Sequence, residues 1–279
     1  MSSPKLSNVL PAQTFKIAGF SALGCAACFV VGFVMIFWIE PGIHLNPTQR
    51  FNFILSNGVF FQFWYLIIFV LFSGCLLMLV RGLRAWMESH QSLSYQLSMV
   101  FGFIWVSYTF CCGLIAVFTI EYLLSLPTEQ QSPVWYVIYA IQIGMGDGVE
   151  WVGGVWLATS SWHLLKSQKS PVTLHKFGLL VGVIGCLTLF PPLAEAGAIF
   201  GLSQIIWFCW IASVMFKMSK QKISWMMTPT RDKRSRHVPP IFATPWHGPF
   251  GSPDTAHGQD LDMFLTFQFQ KGSQKLPCH

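Results

Sequence analysis

Six apolar segments, each long enough to cross a bilayer as a helix, constrain this chain more than anything else in it. A hydrocarbon core about 30 Å thick needs roughly 20 helical residues. Runs of that kind are predicted near 17–39, 58–80, 97–119, 134–161, 174–192 and 197–217, with Lys and Arg only at their edges. The runs are continuous and lack polar/apolar alternation, which excludes a transmembrane β-barrel. The expected fold class is therefore all-α, a polytopic transmembrane helical bundle of six spans. A short N-terminal arm (1–16) precedes it, and a disordered, basic C-terminal tail (218–279) follows. Of the 279 residues 10% are charged, where a soluble domain carries roughly 25%, so the composition points the same way.

The basic residues give an independent test of topology, because Lys and Arg collect in the cytoplasmic loops of membrane proteins. If the six segments cross, all but Arg50 of the 17 Lys and Arg residues fall on one side. They are Lys5 and Lys16 in the arm, Arg81 and Arg84 after the second span, Lys166, Lys169 and Lys176 around the fourth connection, and the rest after the sixth span. Both termini are thus expected in the cytoplasm. Lys217, Lys220, Lys222, Arg231, Lys233, Arg234 and Arg236 would lie beside the inner leaflet, where anionic lipid attracts each by about 1 kcal/mol. The charges read as topology signals and lipid contacts, with no nucleic-acid patch among them.

The first run continues past Cys25 to Trp38, longer than the roughly 7 to 15 apolar residues of a cleaved signal peptide. An uncleaved signal anchor is expected. Seven of the eight cysteines lie within apolar runs and are expected to pack as small hydrophobes. The Cys25-Ala-Ala-Cys28 spacing falls inside the first run with no βαβ pattern around it, so it is not read as a redox motif. Pro191-Pro192 and Glu195 mark a tight hairpin between the last two spans. Trp38, Trp135 and Trp162, near span ends, fit an interfacial aromatic belt.

Chemistry concentrates in the fourth run, which reads Gly144-Met145-Gly146-Asp147-Gly148-Val149-Glu150-Trp151-Val152-Gly153-Gly154. Asp147 and Glu150 are the acidic residues expected inside a span, near its midpoint. On a continuous helix they lie about 60° apart on one face. Ile143, Gly146, Gly153, Gly154 and Leu157 share that sector, while Met145, Val152, Val155 and Trp156 turn away. The glycines admit a neighbouring helix, so the acidic face should point into the bundle. The two carboxyls are expected to titrate as a coupled pair. Gln62, Tyr65, Tyr108, Thr109 and Gln204 are candidate hydrogen-bond partners for them. Gly144-x-x-x-Gly148 and Gly178-x-x-x-Gly182 are further helix-packing signals.

Two readings of this face stand open: a proton or cation relay or ligand floor, and an acid pair that cross-links helices by hydrogen bonds. An enzyme is not expected. No nucleophile sits with a base, no metal-ligand set appears at helical spacing, and the eight histidines fall outside span interiors. No cofactor or metal is implied. Lys16-Ile17-Ala18-Gly19 at the first span, the six-span layout and the Gly-rich acidic fourth span resemble a family of small bacterial integral membrane proteins of unknown function. The resemblance covers residues 14–218. It implies a bacterial inner-membrane location and assigns no catalytic residue. The expected role is accessory, sensing or assembly, and the alternative is a proton- or cation-coupled transporter or channel.

Overall fold

The computed structural model describes residues 6–39, 47–87, 92–146, 149–193 and 196–227. Asp147, Gly148, Arg231, Lys233, Arg234 and Arg236 lie outside the described residues, as does the rest of the tail beyond Met227.

Apolar stretches of this length fold as helices because a helix satisfies its own backbone N–H and C=O groups without water. The described residues form α1 (Leu6–Val34), which runs on as a π-helical turn over Met35–Ile39, then α2 (Pro47–Ser56) and α3 (Gly58–Tyr65). A second π-helical stretch, Leu66–Leu71, joins α3 to α4 (Phe72–Met87). After α5 (Leu93–Ser125) come α6 (Thr128–Gly146), α7 (Val149–Lys166), α8 (Val172–Leu187) and α9 (Ala196–Met227). Among the described residues four stretches are long and apolar enough to cross a membrane: Ala12–Val34, Gly58–Met87, Leu93–Ser125 and Ala196–Lys222. The apolar α8 is shorter.

Helix α1 packs on α4, α4 on α5, α5 on α7, α7 on α8, α8 on α9, and α9 returns to α1. Each neighbouring pair runs antiparallel. On α1 and α9, Gly19 meets Phe216 while Gly201 meets Phe33 and Phe29. On α7 and α8, Gly154 meets Gly182 and Gly185, while Gly178 meets Ser161. The result is a closed ring of alternating helices. One end gathers the start of α1, the ends of α4, α7 and α9 and the starts of α5 and α8. It therefore carries Lys16, Arg81, Arg84, Lys166, Lys169, Lys176, Lys217, Lys220 and Lys222. Arg50 lies on α2, 5.5 Å from the Tyr139 ring centroid on α6. A second apolar cluster, including Phe51, Ile54, Phe61, Leu123 and Trp135, unites α2, α3, the end of α5 and the start of α6.

Several boundaries differ from expectation. Residues 6–16 are helical and belong to α1. The last helix continues ten residues past Lys217 to Met227, because its packing on α1 continues too: buried Ser219 donates to the Ala12 carbonyl at 2.9 Å. Lys222 Nζ lies 5.1 Å from the Phe15 ring centroid. Lys220 and Lys222, expected in the disordered tail, are thus helical positions. The fifth run ends as a helix at Leu187, and a 3-10 turn over Pro191–Leu193 leads toward α9. The fourth run is described on either side of Asp147 and Gly148, as α6 and α7.

The α7–α8 connection is a Schellman-type stop. Lys169 N–H donates to Leu164 O and Gln168 N–H to Leu165 O, both at 3.0 Å, with Gln168 in the left-handed region at φ 50°. A glycine adopts that conformation without the steric cost of a Cβ. Gln168→Gly is expected to stabilise the protein by about 1 kcal/mol. Thermal unfolding in detergent should rise by a few degrees, and a lower midpoint would contradict this account.

Candidate functional site

Glu150 sits in the first turn of α7, level with the start of α9: a Cβ placed on Gly197 would stand 3.6 Å from its Cγ. Glu150 is half-buried. Its expected neighbour Asp147 lies outside the described residues, with Gly148. Gly144 and Gly146 belong to the last turn of α6, and the surroundings of these two are not described.

Val152 and Trp156, expected to turn away from the bundle, are instead buried, as are Leu157 of the acidic sector and Ser160, Ser161, His163 and Leu164, because α7 is flanked by α5 on one side and α8 on the other. Gly153, Gly154, Gly178 and Gly182 are contact points between helices. A Cβ at Gly153 would lie 2.7 Å from the Trp105 ring, and one at Gly182 would lie 2.6 Å from the Ala158 backbone nitrogen. At Gly178 it would collide with Ser161 Oγ.

The middle of the helical ring is filled by aromatic side chains. Phe29 of α1 lies 5.4 Å from Phe72 of α4, which lies 5.5 Å from Trp105 of α5. Trp105 lies 5.4 Å from Trp156 of α7, and Trp156 lies 5.7 Å from Trp207 of α9. Trp207 adjoins Phe208 at 5.6 Å, and Phe208 closes the circuit to Phe29 at 6.0 Å. Phe72 and Phe208 meet across it at 6.3 Å. These separations match direct aromatic contact, mostly tilted or edge-to-face.

Polar cross-links flank the aromatic plug. Ser73 and Thr109 join α4 to α5 at 2.8 Å, and Ser98 and Ser160 join α5 to α7 at 2.6 Å. At the basic end, His163 is buried. Its Nε2 lies 3.2 Å from the Met87 carbonyl, which can only accept, so Nε2 donates. Its Nδ1 lies 2.9 Å from the Ser92 hydroxyl and 3.2 Å from that of Ser94. His163 thus ties the end of α7 to the α4–α5 connection. His175 is also buried, against the Trp86 ring at 5.4 Å. No sequence motif relates either histidine to its partners.

Other sequence candidates have separate partners. Gln62 donates to Val117 O at 3.2 Å, and Thr109 to Trp105 O at 2.9 Å. Trp135 is buried beside Phe51 and stacked on Tyr139, so it is a core residue and not an interfacial one. Trp38 and Trp162 are exposed. The described cysteines are free thiols, and Cys25 and Cys28 are buried. No group of three His, Cys, Asp or Glu that could hold a metal occurs among the described residues. An open apolar groove of about 290 Å³, lined by Val30, Phe33, Phe37, Trp38 and Leu202 among others, lies where the end of α1 meets α9. No family model, no curated protein and no solved structure matches the chain.

Proposed function

We propose that this chain is an integral protein of the bacterial inner membrane that crosses the bilayer six times, with both termini in the cytoplasm. In that role it serves as an accessory, sensing or assembly component and not as an enzyme or conduit. The crossings would be α1, the α3–α4 unit, α5, the α6–α7 pair, α8 and α9. Six antiparallel elements return the chain to the side on which it began, and the basic residues at that end suit the cytoplasmic face. Helix α8 has 16 residues, roughly 24 Å at 1.5 Å per residue, a mismatch that local bilayer thinning absorbs at modest cost.

The observation that carries the choice against a conduit is the closed circuit of Phe29, Phe72, Trp105, Trp156, Trp207 and Phe208. A pore needs a wettable axis, and this one is occupied by mutually contacting rings. A second reading, a proton- or cation-coupled transporter using Asp147 and Glu150, draws on the half-buried carboxylate of Glu150 beside Gly197.

Purified protein in vesicles loaded with a pH-sensitive dye separates the two. Under an imposed potential, proton flux should equal that of empty vesicles, and Glu150→Gln should change nothing. Flux above background that Glu150→Gln abolishes would overturn the first reading in favour of the second.

A further inference from the structure

Four residues of α7, α8 and α9 with buried polar atoms that no described protein group satisfies, Gln204, Trp207, Ser161 and His175, lie along one seam; the Trp156 indole on α7 is in the same condition but faces Gly102 of α5. Gln204 of α9 is 0% exposed, and neither its Oε1 nor its Nε2 has a protein partner among the described residues. One turn further on, the indole Nε1 of Trp207 is in the same condition, and so is Ser161 Oγ on α7. Gly178 of α8 brings the last two together. The position its Cβ would occupy touches Ser161 Oγ and lies 2.8 Å from Trp207 Nε1. One turn earlier on α8, toward the basic end, His175 is 1% exposed and its Nε2 is likewise without a protein partner.

An amide, a hydroxyl and an indole N–H buried in apolar surroundings destabilise a protein unless each is hydrogen-bonded. Inside a bilayer the lipid offers them nothing. Buried polar atoms in native proteins nearly always have a partner, from protein or from ordered water. The seam presents donors (the indole N–H and the amide NH₂), an acceptor (the amide oxygen) and a hydroxyl that does both. A guest must therefore donate and accept in turn. It must be small, because α7 and α8 approach at backbone contact through Gly154 and Gly182. It must also be uncharged: Lys176 on α8 is exposed, and His163 on α7 is engaged with Ser92, Ser94 and Met87. Water meets all three conditions, since a buried water needs two to four polar partners in a polar site.

We propose that the seam between α7, α8 and α9 is a binding site for a short file of water molecules, held by Gln204, Ser161 and the Trp207 indole, with His175 at its basic end. The file hydrates a strip beside the aromatic plug without crossing it, and it does not depend on the functional reading above.

Two measurements on the full chain in lipid nanodiscs test it. In the wild type, the Trp207 indole N–H, assigned with a Trp207→Phe control, should show magnetisation exchange with water by NMR. Its absence would overturn the proposal. Gln204→Leu removes the amide anchor at the end of the file far from His175, at similar volume, and should lower the unfolding midpoint by several degrees, with Ser161→Ala producing a smaller drop. In a dry seam the same leucine would relieve an unpaired amide, and a raised midpoint would overturn the proposal as well.

Discussion

Gly154→Ala is expected to cost the folded state about 3 kcal/mol or more, the upper part of the range for overpacked interiors. A Cβ at Gly154 would stand 2.6 Å from the Cys186 nitrogen, 2.7 Å from the Gly182 oxygen and 2.7 Å from the Gly185 carbonyl carbon. All three are backbone atoms, so no rotamer change can make room and α7 must move off α8. Association of helices in a bilayer rests on close packing, with no hydrophobic force to compensate when they part. Gly74→Ala is the internal control: nothing lies within 4 Å of its Cβ position, and Ala is preferred to Gly in a helix by about 1 kcal/mol. Thermal unfolding in detergent should fall sharply for the first and hold or rise for the second. Equal midpoints would mean that α7 and α8 sit farther apart than backbone contact.

The helices themselves were legible because an apolar run of about 20 residues has few other stable fates. The gathering of Lys16, Arg81, Arg84, Lys166 and Lys217 at one end of the ring was legible for a related reason. Charge is expensive at depth, so basic residues mark the ends of elements wherever those elements pack. The helix wheel drawn on the fourth run turned Val152 and Trp156 outward, and the structure puts both in the core. The extension of α9 beyond Lys217 was open to inference, since neither Gly nor Pro intervenes before Pro229.

What could not be read was which helices touch. One helix wheel says that Trp105, Trp156 and Trp207 each face something. Their meeting depends on the order in which six elements close into a ring, and many orders share the same wheels. The His163 clamp is hidden for the same reason, because Ser92 and Met87 are 71 and 76 residues away in sequence and no spacing rule connects them. Gln204 was a candidate partner for the acids only as a polar residue in an apolar run. Its neighbours Trp207, Ser161 and Gly178 supply the geometry that gives it meaning.

Trp156→Ala tests the aromatic circuit most directly, with an expected loss of about 3–5 kcal/mol, the usual range for Trp or Phe truncated in a packed core. Trp156 is fully buried between Trp105 and Trp207, and Gly102 of α5 lies 2.8 Å from its Nε1, measured at the Cβ position. Truncation breaks two links of the circuit at once and leaves a cavity that neither Gly102 nor Gly153 can fill. Trp156→Phe keeps a ring at the same place and should recover most of the loss. The two variants also part on a second readout. The near-ultraviolet circular dichroism of the coupled indoles should collapse with Ala while the far-ultraviolet helical signal persists. If Trp156→Ala unfolds within a degree or two of the wild type, the rings at the centre are not what holds the six helices around them.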